Sequence, residues 1–249
     1  MGAGRLLWGG AELAVTCGLV LLLLVVHQLW WTNREALAEA RGQVRALESR
    51  WAAGPAEAPG GAVPVEPGGA EPVVEPGASP PVRATVPGGG GRARVEPPRG
   101  EEPYAVLRIP RLGVVAPVAQ GVGKRAVLDR GYVGHYAGTA QPGQQGNFAL
   151  AGHRNTHGEP FRYVNRLRAG DLLVVDVRGR RYTYVVDKRL DQTSARDGGV
   201  IAPVPRSVVR PSYGYSAPGS YITLTTCTPE FTSKYRLVVW GVLRSSVPR

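Results

Sequence analysis

Cysteine is scarce in this sequence, which has only Cys17 and Cys227 in 249 residues. Cys17 lies within an apolar segment near the N-terminus and is too far from Cys227 to pair with it. A domain stapled by several disulfides is therefore excluded, although such frameworks are common outside the cytoplasm. Cys227 is left as an unpaired thiol, which is either an incidental residue or a reactive one.

The sequence also lacks the signatures of nucleic-acid-binding modules, although it is strongly basic. The formal net charge is +11, and residues 102–249 hold 21 basic and 9 acidic residues. We find no zinc-finger spacing, no RNA-binding aromatic signature and no basic helix. The excess positive charge indicates either a solvated basic surface or attraction to an anionic cell envelope.

One long hydrophobic run, Leu13–Trp31, lies near the N-terminus. Its length is close to the ~20 residues that cross a bilayer as a helix, and Trp30 and Trp31 lie where interfacial aromatics belong. A cleaved signal peptide is the alternative, but the A-x-A pattern at 38–40 lies well past the run. We predict a tail over 1–12 and an uncleaved anchor over 13–31, whose orientation the flanking charges do not decide.

A helical pattern continues beyond the anchor, and we predict a helical stalk over residues 32–52. Its apolar residues recur at heptad spacing: Leu37, Ala40, Val44, Leu47 and Trp51. Two heptads are too few to establish a coiled coil. A short stalk is therefore the main prediction, and a weak dimer through this apolar stripe is the second.

The segment over residues 53–101 is of low complexity. Residues 53–100 contain 11 prolines and 11 glycines. Such a composition cannot bury enough apolar surface to offset the entropy lost on ordering. We therefore predict a disordered linker, which would let the following domain stand away from the membrane.

Short runs rich in Val, Ile, Leu and Tyr, divided by Gly and Pro, occupy the domain predicted over residues 102–249. The candidate strands are Tyr104–Ile109, Val114–Val118, Asn147–His153, Asp171–Arg178, Arg181–Arg189, Tyr221–Cys227 and Arg236–Leu243. Seven short strands with few helical stretches predict an all-β barrel or sandwich. We expect one or two helical turns over Phe161–Leu167 and a long segment, Ser194–Gly219, that borders a binding groove.

Cys227 has an arginine neighbour in the predicted topology. Arg236 follows it by nine residues, so a hairpin between the last two strands would bring both to the same end of adjacent strands. A guanidinium there favours the thiolate and can donate hydrogen bonds to an oxyanion. The alternative for Arg236 alone is a surface charge.

A histidine also lies at a predicted strand end. His153 ends the run NFALAGH, where it could exchange protons with a thiol and a leaving amine, or be an ordinary loop histidine. His157 follows by four residues, a spacing that aligns metal ligands on a helix but not at a strand-to-loop transition. We therefore expect no metal here, and we expect structural roles for His135 and Asn147.

The chain resembles the sortases, which are membrane-anchored cysteine transpeptidases. The resemblance rests on LAGHR (150–154), TLTTC (223–227), YRLVVWGVL (235–243) and RIPRLGVVAPV (108–118). The stretches HYAGTAQPGQQGNFALAGH and APVP (202–205) are most similar to class E sortases of actinobacteria. The resemblance implies an eight-stranded β-barrel with the N-terminus in the cytoplasm and the catalytic domain outside.

The resemblance also implies a reaction. Cys227 would attack the Thr carbonyl of a C-terminal LPxTG or LAxTG sorting signal, and a peptidoglycan-precursor amine would resolve the thioester. His153 would be the proton donor and acceptor, and Arg236 the oxyanion stabiliser. We expect Tyr136, Thr225 and Thr226 to bind substrate. No metal or organic cofactor is implied, although some sortases bind calcium where this chain has Asp191 and Asp197.

Three further readings of the sequence stay open. Pilus-building sortases often carry an Asp-Pro-aromatic lid, and its absence before Tyr104 favours general protein anchoring. Another cell-wall cysteine enzyme, such as an L,D-transpeptidase or an NlpC/P60-like peptidase, fits the order His–Cys–Arg less well. A non-enzymatic envelope binding module would make Cys227 dispensable.

Overall fold

A computed structural model of the chain describes residues 2–53 and 100–249. One helix, α1 (Gly2–Ala52), precedes eight strands: β1 (Pro103–Ile109), β2 (Val114–Gln120), β3 (Val133–His135), β4 (Gly146–Ala151), β5 (Leu172–Val177), β6 (Arg180–Ser194), β7 (Ser220–Thr228) and β8 (Tyr235–Pro248). Short 3-10 helices cover Pro110–Leu112, Leu128–Arg130, Val164–Arg166 and Gly198–Ile201. The predicted linker, except for its two ends, lies outside the described residues.

The strands form a closed barrel in the order β1-β2-β3-β4-β7-β8-β6-β5. The eight-stranded barrel is confirmed, and so is the helical turn predicted within Phe161–Leu167. The seven strands predicted from the residues all exist, while β3 was missed. Since β3 has three residues and all are buried, it shows no alternation of apolar and polar positions that a sequence pattern could reveal.

Alternation of side chains along the strands builds one core inside the barrel. Every strand contributes apolar side chains to it, for example Leu107, Phe148, Leu173, Tyr184 and Leu224. A period of two is what a strand with one face in the core requires. The opposite face of the same strands is therefore outside the barrel, and the site is built there.

The long segment Ser194–Gly219 covers part of the outer face of β6, β7 and β8. Val200 packs with Leu190, Val238 and Trp240 in a second apolar cluster. The indole N–H of Trp240 donates a hydrogen bond to the carbonyl of Val200 at 3.1 Å. This segment is thus fastened to the sheet beside the strand ends that carry Cys227 and Arg236.

Helix α1 runs without interruption through the residues predicted as tail, anchor and stalk. It contains a window of mean hydropathy 2.2 that is long and apolar enough to cross a membrane. Beyond Thr32 the helix lies against the barrel, contacting β1, β2 and the 3-10 helix Leu128–Arg130.

Docking of α1 shows what covers the apolar stripe of the predicted stalk. Ala36, Ala40, Val44 and Leu47 are buried, and Val44 and Leu47 pack against Val106 of β1. The apolar stripe that suggested a dimer is thus covered by the barrel of the same chain. The prediction that the linker lets the domain stand away from the membrane falls on residues 53–101, most of which lie outside the described residues.

Candidate active site

Three neighbouring strands, β4, β7 and β8, bring the predicted catalytic residues to one face of the barrel. Leu150, Leu224 and Leu237 point into the core. His153, Cys227 and Arg236 are each an odd number of residues away from these along their own segments. Because strand side chains alternate, Cys227 and Arg236 face outward at the same end of the sheet, and His153 follows the end of β4 at that end.

Cys227 and Arg236 are directly opposite each other in the antiparallel pair β7–β8, which confirms the predicted hairpin. Opposed residues in such a pair have Cβ atoms about 5 Å apart on the same face. The guanidinium Nη1 of Arg236 donates to the carbonyls of Ser233 at 2.9 Å and Tyr235 at 3.0 Å. These two carbonyls hold the guanidinium at the start of β8.

His153 lies level with Cys227 on the other side of β7. Strands β4 and β7 are parallel, with Ala151 opposite Thr225, and the Gly152 N–H donates to the Thr225 carbonyl at 3.2 Å. His153 and Cys227 are each two residues beyond the Ala151–Thr225 pair. The parallel register therefore brings the imidazole and the thiol to the same strand ends.

Asp129, which the sequence did not single out, hydrogen-bonds the imidazole of His153. The distance from His153 Nε2 to Asp129 Oδ1 is 2.8 Å. Because a carboxylate only accepts, Nε2 carries the proton in this arrangement and Nδ1 is the nitrogen free to exchange a proton. The Asp129 carboxylate thus fixes which ring nitrogen of His153 faces it.

His157 lies close to this pair and forms a three-residue cluster with it. One ligand atom each of Asp129, His153 and His157 lie within 4.8 Å of one another, and the two imidazole centroids are 5.3 Å apart. Within residues 2–53 and 100–249, Nδ1 of His157 has no hydrogen-bond partner. The spacing along the chain did not predict this cluster, because the loop rather than a helix folds His157 back.

Arg154 is a second residue that sequence reasoning passed over, although it belongs to the LAGHR motif. Its side chain is 7% exposed. Nη1 donates to the Cys227 carbonyl at 3.3 Å and to the Thr228 hydroxyl at 2.9 Å, and Nη2 donates to Glu230 at 3.4 Å. Arg154 therefore ties the histidine segment to the backbone of the cysteine strand.

Of the three expected substrate-binding residues, two have hydroxyls engaged within the barrel. Thr226 donates to the Gly152 carbonyl at 2.8 Å, and Thr225 donates to the Leu150 carbonyl at 3.1 Å. The Tyr136 hydroxyl is 3.1 Å from the Thr225 hydroxyl. The Thr225 hydroxyl already donates its one hydrogen bond to the Leu150 carbonyl, so the Tyr136 hydroxyl is the donor to Thr225. The lone pairs of the Tyr136 oxygen therefore stay free to accept.

His135 and Asn147 are buried and hydrogen-bonded. Burial lowers the pKa of His135 to about 4. Its Nε2 donates to the Ala140 carbonyl at 3.1 Å and its Nδ1 lies 2.8 Å from the Tyr104 hydroxyl. Asn147 donates to the Ala202 carbonyl at 3.1 Å and accepts from Thr223 at 2.8 Å. These contacts hold the sheet and the segment Ser194–Gly219 together, which fits the structural roles expected for both residues.

Asp197, where some sortases bind calcium, has a structural environment in this chain. Burial favours its neutral form, but hydrogen bonds from Ser207, Thr193 and the Val208 N–H outweigh that, so its pKa lies below its ordinary value. The carboxylate thereby closes the segment Ser194–Gly219 on itself. Asp191, in contrast, is exposed and pairs with Arg189 at 2.6 Å.

Comparison with known proteins agrees with this geometry. Residues 107–244 match the sortase domain family. Sortase SrtE1 of Streptomyces coelicolor is 42% identical over 243 residues, which are 96% of this chain and 57% of that protein's length. Sortase SrtE2 of the same organism is 30% identical over 237 residues, 93% of this chain and 79% of that protein.

Solved structures of similar proteins cover the barrel. Sortase E1 of Streptomyces coelicolor, with a tripeptide in its active site, is 51% identical with a TM-score of 0.56 over 59% of this chain and 91% of that chain. Sortase E of Streptomyces avermitilis is 45% identical with a TM-score of 0.52, over 59% and 90% of the two chains. The match to the family over the barrel, together with the outward-facing His153, Cys227 and Arg236, means that this chain belongs to the sortase family.

Proposed function

We propose that this protein is a membrane-anchored cysteine transpeptidase that cleaves a C-terminal LAxTG or LPxTG-type sorting signal after Thr and transfers the protein to a cell-wall amine. The observation that carries the proposal is the meeting of His153, Cys227 and Arg236 on one outer face of three adjacent strands. The tripeptide in the active site of the similar sortase E1 supports a peptide substrate.

In the first half-reaction, the Cys227 thiolate attacks the Thr carbonyl carbon and the carbonyl electron pair moves to oxygen. Arg236 would stabilise this oxyanion by charge and by hydrogen bonds, after its guanidinium turns from the Ser233 and Tyr235 carbonyls. The tetrahedral intermediate then collapses, the carbon–nitrogen bond breaks, and His153 gives a proton to the leaving amine. A thioester on Cys227 and a released C-terminal fragment result.

In the second half-reaction, an amine of a peptidoglycan precursor attacks the thioester carbonyl. His153, now neutral, accepts a proton from the attacking nitrogen, and the sulfur leaves as thiolate while a new amide forms. Asp129 keeps the same ring nitrogen hydrogen-bonded in both steps, so His153 needs no reorientation between them. This cycle consumes no cofactor and needs no metal.

Tyr136 is the residue that we expect to recognise the substrate backbone. Its hydroxyl is oriented by Thr225, and the remaining lone pairs can accept from a peptide N–H. Thr225 and Thr226 would act indirectly, because their hydroxyls hold β4 against β7. Truncating Tyr136 to Phe would therefore weaken peptide use while leaving the barrel intact.

Membrane anchoring fits this chemistry. We infer that α1 crosses the membrane over 13–31, with residues 1–12 in the cytoplasm and the domain of residues 102–249 outside. The partners would be secreted proteins that bear sorting signals and a peptidoglycan precursor that supplies the amine. Enzyme and protein substrate would then be anchored in the same membrane, which raises their local concentration.

The test is an assay with purified protein, fluorogenic LAxTG and LPxTG peptides and an amine acceptor. We expect cleavage together with transfer to the amine, and mass spectrometry should find the acyl group on Cys227. Cleavage without transfer would indicate a hydrolase. Failure to process either peptide, with normal protein display in cells that carry Cys227→Ala, would instead indicate a binding module.

A further inference from the structure

We propose that the part of α1 that follows the apolar run is a positioning element of the active site, in which Asn33 and Glu39 hold the two segments that orient His153. The proposal rests on the proposed function, since it assigns a role in catalysis to His153. Two hydrogen-bond contacts and one backbone packing contact carry it.

The first contact fixes the loop that starts at His153. The Gly158 N–H donates a hydrogen bond to Oδ1 of Asn33 at 2.6 Å. The same loop returns to its origin, because the Phe161 N–H donates to the His153 carbonyl at 3.0 Å. Asn33 therefore holds the middle of the loop 153–161, whose two ends are joined by a hydrogen bond at the His153 carbonyl.

The second contact fixes the segment that carries Asp129. Oε1 of Glu39 accepts hydrogen bonds from Nε of Arg130 at 2.6 Å and from the Tyr132 hydroxyl at 3.0 Å. The Arg130 guanidinium also lies over the Tyr132 ring, 4.8 Å from its centroid. Because Arg130 follows Asp129 in the same 3-10 helix, Glu39 anchors the carboxylate that hydrogen-bonds His153.

The third contact joins the helix and both segments at a single glycine. A Cβ added to Gly131 would lie 2.8 Å from the Ala36 carbonyl oxygen and 3.2 Å from the His157 carbonyl oxygen. Only a residue without a side chain allows backbones to approach this closely. The backbone of α1, the Asp129 segment and the His153 loop therefore touch one another.

These contacts place α1 on both partners of the Asp129–His153 hydrogen bond. A small displacement of the helix would lengthen that bond or turn the imidazole, and angstrom-scale misplacement of a catalytic group is costly in rate. The helix that we infer to be the membrane anchor thus becomes part of the catalytic framework. Its docking couples the geometry of His153 to the segment that leaves the bilayer.

Glu48 provides a matched control on the same helix. It forms ion pairs with Arg108 of β1 and with Arg249, the latter at 3.2 Å. Like Glu39, it ties α1 to the barrel through arginine. Its partners lie on strand β1 and at the C-terminus, so its removal takes away an ion pair with the barrel while the Asn33 and Glu39 contacts keep the helix in place beside the segments around His153.

The experiment uses the full chain in lipid nanodiscs and compares Asn33→Ala, Asn33→Asp, Glu39→Ala, Glu39→Gln and Glu48→Ala in peptide transpeptidation. We expect kcat to fall about tenfold or more in Asn33→Ala and in Glu39→Ala, with KM unchanged. Asn33→Asp and Glu39→Gln keep an acceptor oxygen and should recover most of the rate. Glu48→Ala should match the wild type.

A measurement without substrate separates this proposal from the proposed function. The chain has four histidines, so ¹⁵N-histidine NMR can follow His153 individually after assignment with His153→Gln. We expect the His153 ring signals to shift in Asn33→Ala and Glu39→Ala and to stay unchanged in Glu48→Ala. Unshifted signals in both, or equal effects of all three alanine variants on kcat, would overturn the proposal, whether or not sorting peptides are processed.

Discussion

Arg154 donates a hydrogen bond from Nη1 to the backbone carbonyl of Cys227, 3.3 Å away. Arg154 is the residue that follows His153, so one side chain links the segment of the histidine to the strand of the cysteine. Its guanidinium is nearly buried and shares its other hydrogen bonds between Thr228 and Glu230. This arrangement fixes the distance between two residues that are 74 positions apart from each other in the sequence.

Removing Arg154 should therefore cost both stability and activity. We expect Arg154→Ala to lower the free energy of unfolding by about 2–3 kcal/mol, because charge-assisted hydrogen bonds to a buried group are lost. Urea denaturation of the full chain measures this change. Arg162→Ala is the control, since the Arg162 side chain is 37% exposed and pairs with Glu159 three residues away in the same loop, so its loss should cost less than about 1 kcal/mol.

The nucleophile can be tested with the other cysteine of the chain as its control. We expect Cys227→Ala to abolish peptide cleavage while the circular dichroism spectrum stays unchanged, because the side chain is small and half-buried. Cys17→Ala should keep full activity, since Cys17 is exposed on the apolar part of α1. Activity that survives in Cys227→Ala would contradict the role of the thiol.

The oxyanion role that we propose for Arg236 predicts a different result for a conservative change. We expect Arg236→Lys to lose most activity, on the order of 100-fold or more in kcat, because an ammonium cannot supply the planar fork of donors. Binding of the peptide should change little, since the charge stays. A lysine variant with near-normal kcat would indicate that Arg236 acts through its charge alone.

The sequence predicted that His153, Cys227 and Arg236 lie at neighbouring strand ends, but it did not predict the residues around them. The eight residues between Cys227 and Arg236 suit a hairpin, and hairpin register follows from local spacing. Asp129, by contrast, reaches His153 from a short 3-10 helix, and no periodic pattern connects two loop segments 24 residues apart. Arg154 was visible within LAGHR, but its direction into the protein depends on the tertiary fold.

The stalk shows what a pattern of apolar residues leaves open. Its heptad spacing correctly indicated a helix with one buried face. The spacing alone does not say whether another helix or a sheet covers that face, because both accept the same stripe of Ala, Val and Leu. The linker composition suggested a domain that stands away from the membrane, but it does not reveal that Val44 and Leu47 of the preceding helix pack on Val106 of the barrel.

His135 predicts a loss of stability on acidification. Burial lowers its pKa to about 4 in the folded state, against an ordinary value of about 6.5, so the unfolded chain binds more protons between these values. The neutral His135 stabilises the fold fully above about pH 6.5. As the pH falls toward 4, the free energy of unfolding decreases by about 3 kcal/mol. Urea denaturation at several pH values should show this loss in the wild type and a smaller one in His135→Gln.

Metal ions should inhibit rather than assist this enzyme. Zinc is bound well by imidazole and carboxylate ligands, and Asp129, His153 and His157 offer three donors within 4.8 Å. We expect EDTA to leave the rate unchanged and micromolar Zn²⁺ to reduce it by occupying His153. His157→Ala removes one donor, so it should weaken the inhibition at least several-fold at unchanged basal rate; equal inhibition would instead indicate binding at Cys227.

A substitution at Gly131 tests the close contact between α1, the Asp129 segment and the His153 loop. Gly131 has a φ of 74°, and an added Cβ would press on the Ala36 carbonyl at 2.8 Å. Gly113 has a similar φ of 64° at the end of another 3-10 helix, but among the described residues a Cβ there would meet nothing within 4 Å.

Both Gly131→Ala and Gly113→Ala should lose about 1 kcal/mol of folding stability, because alanine is strained in the left-handed region. Only Gly131→Ala should lose more than this and also lower kcat, since the methyl group must push α1 or the Asp129 segment aside. Thermal unfolding and peptide transpeptidation of both variants measure the two effects. Equal losses in the two variants would mean that strain at the glycine, and not the contact with the helix, limits the substitution.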